Sequence, residues 1–140
     1  MRFASGSPFT ITSANVCLCG SFVPQRLNFA PGREKDKGKL SHPTPTMWFD
    51  PTAYVVPPSG TQGTAGRNTV IGPGTQRVDL SISKRFPAGR TRTEVRAEIF
   101  NLLNHTNFGT PANNISNNTV ATITTADDGR NLQLGLRLTW

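Results

Sequence analysis

The last eleven residues, 130–140, read R-N-L-Q-L-G-L-R-L-T-W, and their pattern decides the fold. Apolar and polar residues alternate strictly along this stretch. Successive side chains of a β-strand point to opposite faces, whereas a helix would scatter the same leucines around its axis. We therefore predict a strand over 130–140. Its apolar face consists of five residues: Leu132, Leu134, Leu136, Leu138 and Trp140.

Two environments fit this strand. A tilted strand crosses a bilayer in roughly 9 to 11 residues, and an aromatic residue at its end suits the membrane interface. An edge strand of a soluble β-sandwich, with its apolar face on a core, is the alternative, because one transmembrane strand taken singly is a weak signal. The rest of the chain has to distinguish the two.

Composition favours a β-rich chain. Its 140 residues allow one domain, and Gly and Pro together account for 24 of them, more than the usual share of about 12%, which favours turns over long helices. The net charge of +7 raises nucleic acid as a partner. However, the only tight basic cluster is Arg33, Lys35, Lys37 and Lys39, and no stacking-aromatic motif accompanies it. We therefore predict no nucleic-acid binding.

Two further strands precede the last one. Alternation runs over 77–86, where Lys84 interrupts the apolar parity with a stem long enough to reach an interface, and again over 91–101. The intervening Pro87-Ala88-Gly89-Arg90 has turn chemistry, so the two strands should pair antiparallel. An amphipathic helix over 91–101 is the competing interpretation, because Val95 and Ile99 also match helical spacing.

The remaining segments are predicted to be mostly irregular. A strand is expected over about 3–12, followed by a long loop over 13–76 and a second loop over 102–129. Within the first loop, Trp48, Phe49 and Tyr54 are expected to pack against neighbouring loop segments.

This order of short turns and long loops matches outer-membrane barrels, in which periplasmic turns are short and extracellular loops are long. The polar parity of the strands would then line the lumen, because a charge facing lipid near the midplane costs roughly 2 to 4 kcal/mol. The charged residues predicted to face the lumen, and to pair across strands, are Asp79, Arg85, Arg92, Glu94, Arg96, Glu98 and Arg137.

Several stretches resemble one family of membrane proteins. They are G-T-A-G-R-N-T-V-I-G-P-G (63–74), R-V-D-L-S-I-S-K-R-F (77–86), R-A-E-I-F-N-L-L-N-H-T-N-F-G (96–109) and the final L-Q-L-G-L-R-L-T-W (132–140). Together with S-G-S-P-F-T-I-T (5–12), Q-R-L-N-F-A-P-G (25–32) and W-F-D-P-T-A-Y (48–54), they look like the C-terminal end of Oar-like TonB-dependent outer-membrane receptors. The resemblance covers nearly the whole chain.

The resemblance implies a role in uptake of a large or scarce nutrient across the outer membrane. It also implies partners: outer-membrane lipid, the TonB system, the barrel-assembly machinery that reads a terminal aromatic residue, and the N-terminal barrel and plug of a parent receptor. No signal peptide opens the chain at Met1-Arg2-Phe3, so we expect a piece of a longer Gram-negative protein, 1–140 forming part of its barrel. The rival hypothesis is a small soluble all-β binding or structural module.

Few residues suggest chemistry. Cys17 and Cys19 lack the further ligands that a zinc site needs, which leaves a loop disulfide or ordinary thiols, and two histidines, His42 and His105, do not complete a site. Asp127 and Asp128 have no nucleophile or base beside them in sequence. Acceptor patterns for glycosylation begin at Asn104, Asn114 and Asn117 and are interpreted as chance matches. We expect neither an enzyme nor a bound cofactor or metal, and the sequence does not name a substrate.

Overall fold

The computed structural model describes residues 1–16, 24–58 and 60–140. In these ranges the regular elements are β-strands and one 3₁₀ turn at Pro51–Ala53, and the named strands pair antiparallel, which confirms the all-β prediction. In chain order the strands are β1 (Arg2–Ala4), β2 (Pro8–Phe9), β3 (Thr12–Val16), β4 (Pro24–Arg26), β5 (Asn28–Phe29), β6 (Lys39–Thr44), β7 (Met47–Phe49), β8 (Tyr54–Val55), β9 (Val70–Ile71), β10 (Thr75–Arg77), β11 (Leu80–Ala88), β12 (Thr91–Phe100) and β13 (Asn131–Thr139).

The chain divides into two compact units. The terminal unit contains Met1–Ala4, Thr75–Asn107 and Asp127–Trp140, and the loop unit contains Ser5–Gly74 and Phe108–Ala126. The three long strands β11, β12 and β13 form one sheet in that order, here called the terminal sheet. The pair β1 and β10 also belongs to the terminal unit.

The hairpin of the terminal sheet is tighter than the sequence predicts. Pro87 and Ala88 pair with Arg92 and Thr91, so β11 continues through them and only two residues remain in the turn. Gly89 takes a φ of 62°, which glycine adopts without steric cost at the first position of such a turn. The segment Thr91–Phe100 is a strand paired on both sides, so the helix alternative is wrong.

The chain does not form the single strand predicted over 3–12. It forms β1, β2 and the start of β3, separated by unpaired residues, because each piece pairs with a different partner: β10, β9 and β4. The strand predicted over 77–86 also begins later than expected. β11 starts at Leu80, because Arg77 belongs to β10 and pairs with Arg2.

The prediction of a mostly irregular loop over 13–76 needs correction as well. Its described part contains short strands of two to six residues, and the loop unit encloses a hydrophobic core. The buried members of that core are Ile11, Leu27, Phe49, Ala53, Tyr54, Ala65, Val70 and Ala121. Strands this short show no sustained alternation, which is why the sequence pattern did not reveal them.

Aromatic rings fill the middle of this core. The Phe49 ring lies edge-on to both Phe9 and Tyr54, with centroid distances of 6.1 and 6.3 Å, and Phe29 packs against Tyr54 at 5.4 Å. Trp48 is half-buried against the same core. The packing expected of Trp48, Phe49 and Tyr54 is therefore present, and two of the three are core residues.

The second predicted loop, 102–129, has no named strand, yet its middle part completes the loop unit. Backbone hydrogen bonds join Trp48 N–H to the Ala121 carbonyl at 2.8 Å and Ile123 N–H to the Pro45 carbonyl at 2.7 Å. Ala121 and Ile123 are buried. Segments far apart in sequence therefore supply each other's backbone partners.

A polar cluster orders the turn before β6. Arg33 donates to Asp36 at 2.7 Å and to Asp50 at 2.9 Å, while Asp36 also accepts the Gly38 N–H at 2.9 Å. The Gly38 bond and then Arg33 lower the pKa of the Asp36 carboxyl, and hydrogen bonds from Thr52 and then Arg33 lower the pKa of Asp50. The cluster therefore favours both carboxylates in their charged form.

Candidate functional site

The terminal sheet has one continuous apolar face. The strand register places Leu80, Ile99 and Leu132 in one row across the sheet, and further rows follow at every second residue. The apolar residues of this face are Leu80, Ile82, Phe86, Val95, Ala97, Ile99, Leu132, Leu134, Leu136 and Leu138. The face joins the leucines predicted to face lipid with the apolar residues of the two preceding strands.

This apolar face is largely exposed. The side chains of Leu134 and Leu136 are 73% and 67% accessible, and Trp140 at the chain end is 94% accessible. Burying one leucine side chain fully would stabilise the protein by roughly 1.5 to 3 kcal/mol. We therefore expect this exposed row of leucines to be covered by another apolar surface.

Lys84 is the one charged residue on that face, as the sequence indicates. Its ammonium lies 5.2 Å from the centre of the Phe86 ring, two residues closer to the hairpin turn. A cation over an aromatic face is attracted by the ring's electrons, and the long stem carries the charge along the sheet. The lysine is therefore directed toward one end of the strands.

The opposite face of the sheet is polar and charged. Arg85 on β11 pairs across the strands with Glu94 on β12 at 3.2 Å, and Arg96 contacts Glu94 at 3.4 Å and Glu98 at 3.8 Å along β12. The register puts Arg137 directly opposite Glu94 on the other side. The charged side chains at these alternate positions thus share one face of the sheet, where Glu94 has three arginines around it.

Three of the predicted lumen residues form no ion pair with a described residue: Arg137, which only lies opposite Glu94 in the register, Asp79 and Arg92. Asp79 stands before β11 and makes no ion pair with a described residue; its carboxylate accepts the Asn101 N–H at 2.9 Å. The expected cross-strand pairing of Asp79 is therefore wrong, because its side chain caps the end of β12. Arg92, opposite Pro87 and Thr139, also has no acidic partner within the described ranges.

Three asparagines, spaced three residues apart, fasten the end of the sheet opposite the hairpin. We call Asn101, Asn104 and Asn107 the asparagine clamp. Asn101 is buried with a φ of 52°, which asparagine tolerates better than most residues. Its side chain accepts the His105 N–H at 3.1 Å and donates to the carbonyls of His105 and Asp128.

The other two members of the clamp bind the neighbouring segments. Asn104 accepts the Arg130 N–H at 3.1 Å, immediately before β13. Asn107 is buried, and its side chain bonds both backbone groups of Gln76 in β10. The clamp therefore connects β10 with the ends of β12 and β13. The sequence pattern gives no sign of this role, because it marks Asn104 only as a glycosylation acceptor.

The other candidate sites give little support to chemistry. Asp127 makes a 3.7 Å ion pair with Arg77, and Asp128 offers its carbonyl to Asn101. The described residues hold no group of three or more potential metal ligands, and their helices include none long and apolar enough to cross a membrane. Cys17 and Cys19 lie outside the described residues, so their predicted states stay predictions.

Long antiparallel strands with an exposed apolar face and a charged opposite face are typical of outer-membrane β-barrel segments. A family model described as an outer membrane beta barrel domain matches residues 1–133. The chain belongs to this outer-membrane β-barrel family, which also assigns it to the outer membrane in general terms. Comparison with curated proteins and with solved structures gave no significant match.

Proposed function

We propose that the chain supplies the last strands and the extracellular loops of a TonB-dependent uptake receptor. The observation that carries this proposal is the terminal sheet, whose apolar and charged faces suit a barrel wall between lipid and a polar lumen. In this arrangement Leu132, Leu134, Leu136 and Leu138 face lipid, and Glu94 with its arginines faces the lumen. The resemblance of 63–74 and 96–109 to Oar-like receptors supports the finer assignment.

The orientation of the sheet follows from its connections. The two-residue turn at Gly89 and Arg90 joins β11 to β12, whereas thirty residues, 101–130, join β12 to β13 at the opposite end. Short turns are periplasmic and long loops extracellular in such barrels. We therefore place the Gly89 turn and Trp140 on the periplasmic side and the asparagine clamp on the extracellular side.

The partners of the proposed receptor follow from the same arrangement. Lipid covers the apolar face, the upstream barrel strands and the plug belong to the parent chain, and the TonB system supplies energy for uptake. The barrel-assembly machinery recognises the C-terminal strand through its alternate leucines and Trp140. The cargo is a large or scarce nutrient, and no reaction is assigned to the chain.

Energy-dependent uptake tests this function. A Gram-negative strain producing the parent protein should accumulate its nutrient only when the TonB system is intact, with equal amounts of the protein in the outer membrane in both strains. A growth screen on scarce nutrients as sole sources would identify the cargo first. Uptake that is equal with and without TonB would refute the energised mechanism.

A soluble all-β binding module is the second candidate. The loop unit favours it, because Phe49, Tyr54 and Leu27 form a buried core that needs no membrane. This candidate predicts that the full chain is a soluble monomer with a cooperative thermal transition in detergent-free buffer. A requirement for detergent would exclude it.

A further inference from the structure

The loop unit contains a cavity of about 380 Å³ beside β6 and β7. Its apolar wall is formed by Trp48, Phe49, Val70 and Ile71. The volume equals roughly a dozen waters at about 30 Å³ each, and falls within the range of pockets that hold small ligands. The cavity can therefore accept one ring-sized apolar group.

The wall of this cavity is held in place by hydrogen bonds. The indole N–H of Trp48 donates to the Ile71 carbonyl at 2.9 Å, so its polar atom is already satisfied and its ring serves as apolar surface. The adjoining turn is fixed by the Tyr54 hydroxyl, which donates to the Lys37 carbonyl at 2.8 Å. The pocket is thus formed before a ligand arrives, which lowers the ordering cost of binding.

The rim of the cavity is positively charged. Lys35, Lys37 and Lys39 line it, all three are exposed, and none forms an ion pair with a described residue. Asp36 is the one acidic residue in the lining, and both of its carboxylate oxygens are engaged by Arg33 and the Gly38 N–H. Asp36 keeps its charge, so the lining carries three positive charges against one negative charge and is net positive.

Backbone geometry explains how the lysines come to lie on the rim. Lys37 and Gly38 both take left-handed φ values, 52° and 72°, which turn the chain sharply between Lys35 and Lys39. Gly38 is required there, since a Cβ would lie 2.8 Å from the Asp50 carbonyl oxygen. A second concavity of about 400 Å³ is lined by Lys35, Asp36, Lys39, Leu40 and Ser41, all of which also line the first, and it gives space for a head group beside the lysines.

We propose that this pocket binds an amphipathic organic anion, with its apolar body against Trp48 and Ile71 and its negative head group among the three lysines. Lysines recognise the head group as point charges, without the paired geometry that arginine imposes, so a carboxylate suffices. Binding stands on the pocket alone. The claim that this anion is the receptor's cargo deepens the proposed function and rests on it.

A charge-reversed pair of ligands tests the binding. The full 140-residue chain in non-ionic detergent would be titrated with 4-phenylbutyrate, with 4-phenylbutylamine, and with butyrate, which lacks the ring. Isothermal titration calorimetry gives the affinity. Emission of Trp48, in a Trp140→Phe background that removes the other tryptophan, reports the site.

The expected order is phenylbutyrate well above both other compounds, with an affinity that falls as salt is added. Lys35→Gln and Lys39→Gln should each weaken phenylbutyrate about 1.5- to 5-fold, as an exposed ion pair would, and Ile71→Ser should weaken it through the apolar wall. Arg67→Gln is the matched control, because Arg67 is exposed in the same unit but does not line the pocket. It should bind as the wild type does.

Equal binding of the anion and the amine, unchanged affinity in both lysine variants, or no response of Trp48 would overturn the pocket. These results would leave TonB-dependent uptake by the parent untouched. Conversely, uptake that is independent of TonB would refute the proposed receptor function while leaving the binding result standing. Lysine variants that lose binding but transport normally would overturn the claim that this anion is the cargo.

Discussion

Asn107 binds Gln76 through both backbone groups of that residue. Its side-chain oxygen accepts the Gln76 N–H at 2.7 Å, and its side-chain nitrogen donates to the Gln76 carbonyl at 3.1 Å. The Asn107 carbonyl in turn accepts the Asp127 N–H at 2.8 Å. One buried residue thus links β10 to the segment that enters β13, as a strand-like partner would.

Replacing Asn107 should destabilise the terminal unit. Asn107→Ala leaves both backbone groups of Gln76 without their partner, and we expect a loss of roughly 1 to 3 kcal/mol in the free energy of unfolding. Urea unfolding of the full chain in detergent, followed by circular dichroism, measures it. Asn118→Ala is the control, since that exposed asparagine makes no comparable contact with any residue that the structure describes. Equal stability of the two variants would contradict the role given to the clamp.

If the apolar face of the terminal sheet contacts lipid, the same substitution should have different effects at neighbouring positions on its two faces. Leu134→Arg in the full-length parent should cost roughly 2 to 4 kcal/mol if its side chain lies near the bilayer midplane, and outer-membrane levels should fall strongly. Gln133→Arg introduces the same side chain on the charged face and should be mild. Quantitative blotting of outer-membrane fractions compares the two. Similar losses at both positions would exclude a lipid-facing leucine row.

Removal of the terminal aromatic residue should impair assembly. Deleting Trp140 from the parent should reduce insertion into the outer membrane with little effect on synthesis, because the C-terminal strand is the proposed signal for barrel assembly. The ratio of inserted to total protein measures this. Trp140→Phe, which keeps an aromatic ring, should insert nearly normally. Undiminished insertion after the deletion would count against the proposed signal.

The loop unit should lose stability in acid. The folded-state pKa values of Asp36 and Asp50 lie below their unfolded values, near 3.9, because Gly38 and then Arg33 bond Asp36 while Thr52 and then Arg33 bond Asp50; these bonds stabilise the fold above about pH 4. That contribution disappears as pH falls through the lowered pKa values. Near-ultraviolet circular dichroism against pH should show the loss, and Arg33→Gln should reduce the acid limb by the part that Arg33 contributes, while the Gly38 and Thr52 bonds remain. An identical acid limb in that variant would refute the assignment.

The 140-residue chain by itself should not conduct ions. Three long strands cannot close a barrel, which needs at least about eight, and an open sheet leaves unpaired backbone groups along β11 and β13. In hydrocarbon each such group costs several kcal/mol. We expect aggregation without detergent, strand-type circular dichroism with it, and no current steps in planar bilayers. Reproducible single-channel steps would disprove this.

The terminal strands could be predicted from the sequence because their signal is long and local. In β12 and β13, nine or ten residues alternate between apolar and polar types, which predicts both the strand and the face that each side chain occupies. The turn at Gly89 predicts that β11 and β12 pair antiparallel. The start of β11 differs from the prediction, since nothing in the residue types shows that the Asp79 carboxylate accepts the Asn101 N–H. A hydrogen bond between a polar side chain and a distant backbone group produces no periodic sequence pattern, so such a bond cannot be predicted from alternation.

The loop unit could not be predicted for a different physical reason. Its core brings together Ile11, Leu27, Phe49 and Ala121, which are separated by irregular intervals and lie on strands of a few residues or on none. Close backbone approach adds to this: a Cβ on Gly63 would lie 2.2 Å from the Leu27 carbonyl oxygen. Such contacts depend on which distant segments pack together, so the local sequence of this unit shows only frequent prolines and glycines. The aromatic group at Trp48 to Tyr54 was the one visible sign of the core.

The asparagine clamp has a consequence for how such proteins diversify. Because the side chains of Asn101, Asn104 and Asn107 bond backbone atoms of the terminal unit itself, we expect the register of β11 to β13 not to depend on the identity of residues 108–126. Loops grafted between Asn107 and Asp127 should therefore leave the wall intact. Evolution can exchange this segment without altering the terminal sheet, provided that the replacement restores the backbone bonds that Ala121 and Ile123 make within the loop unit.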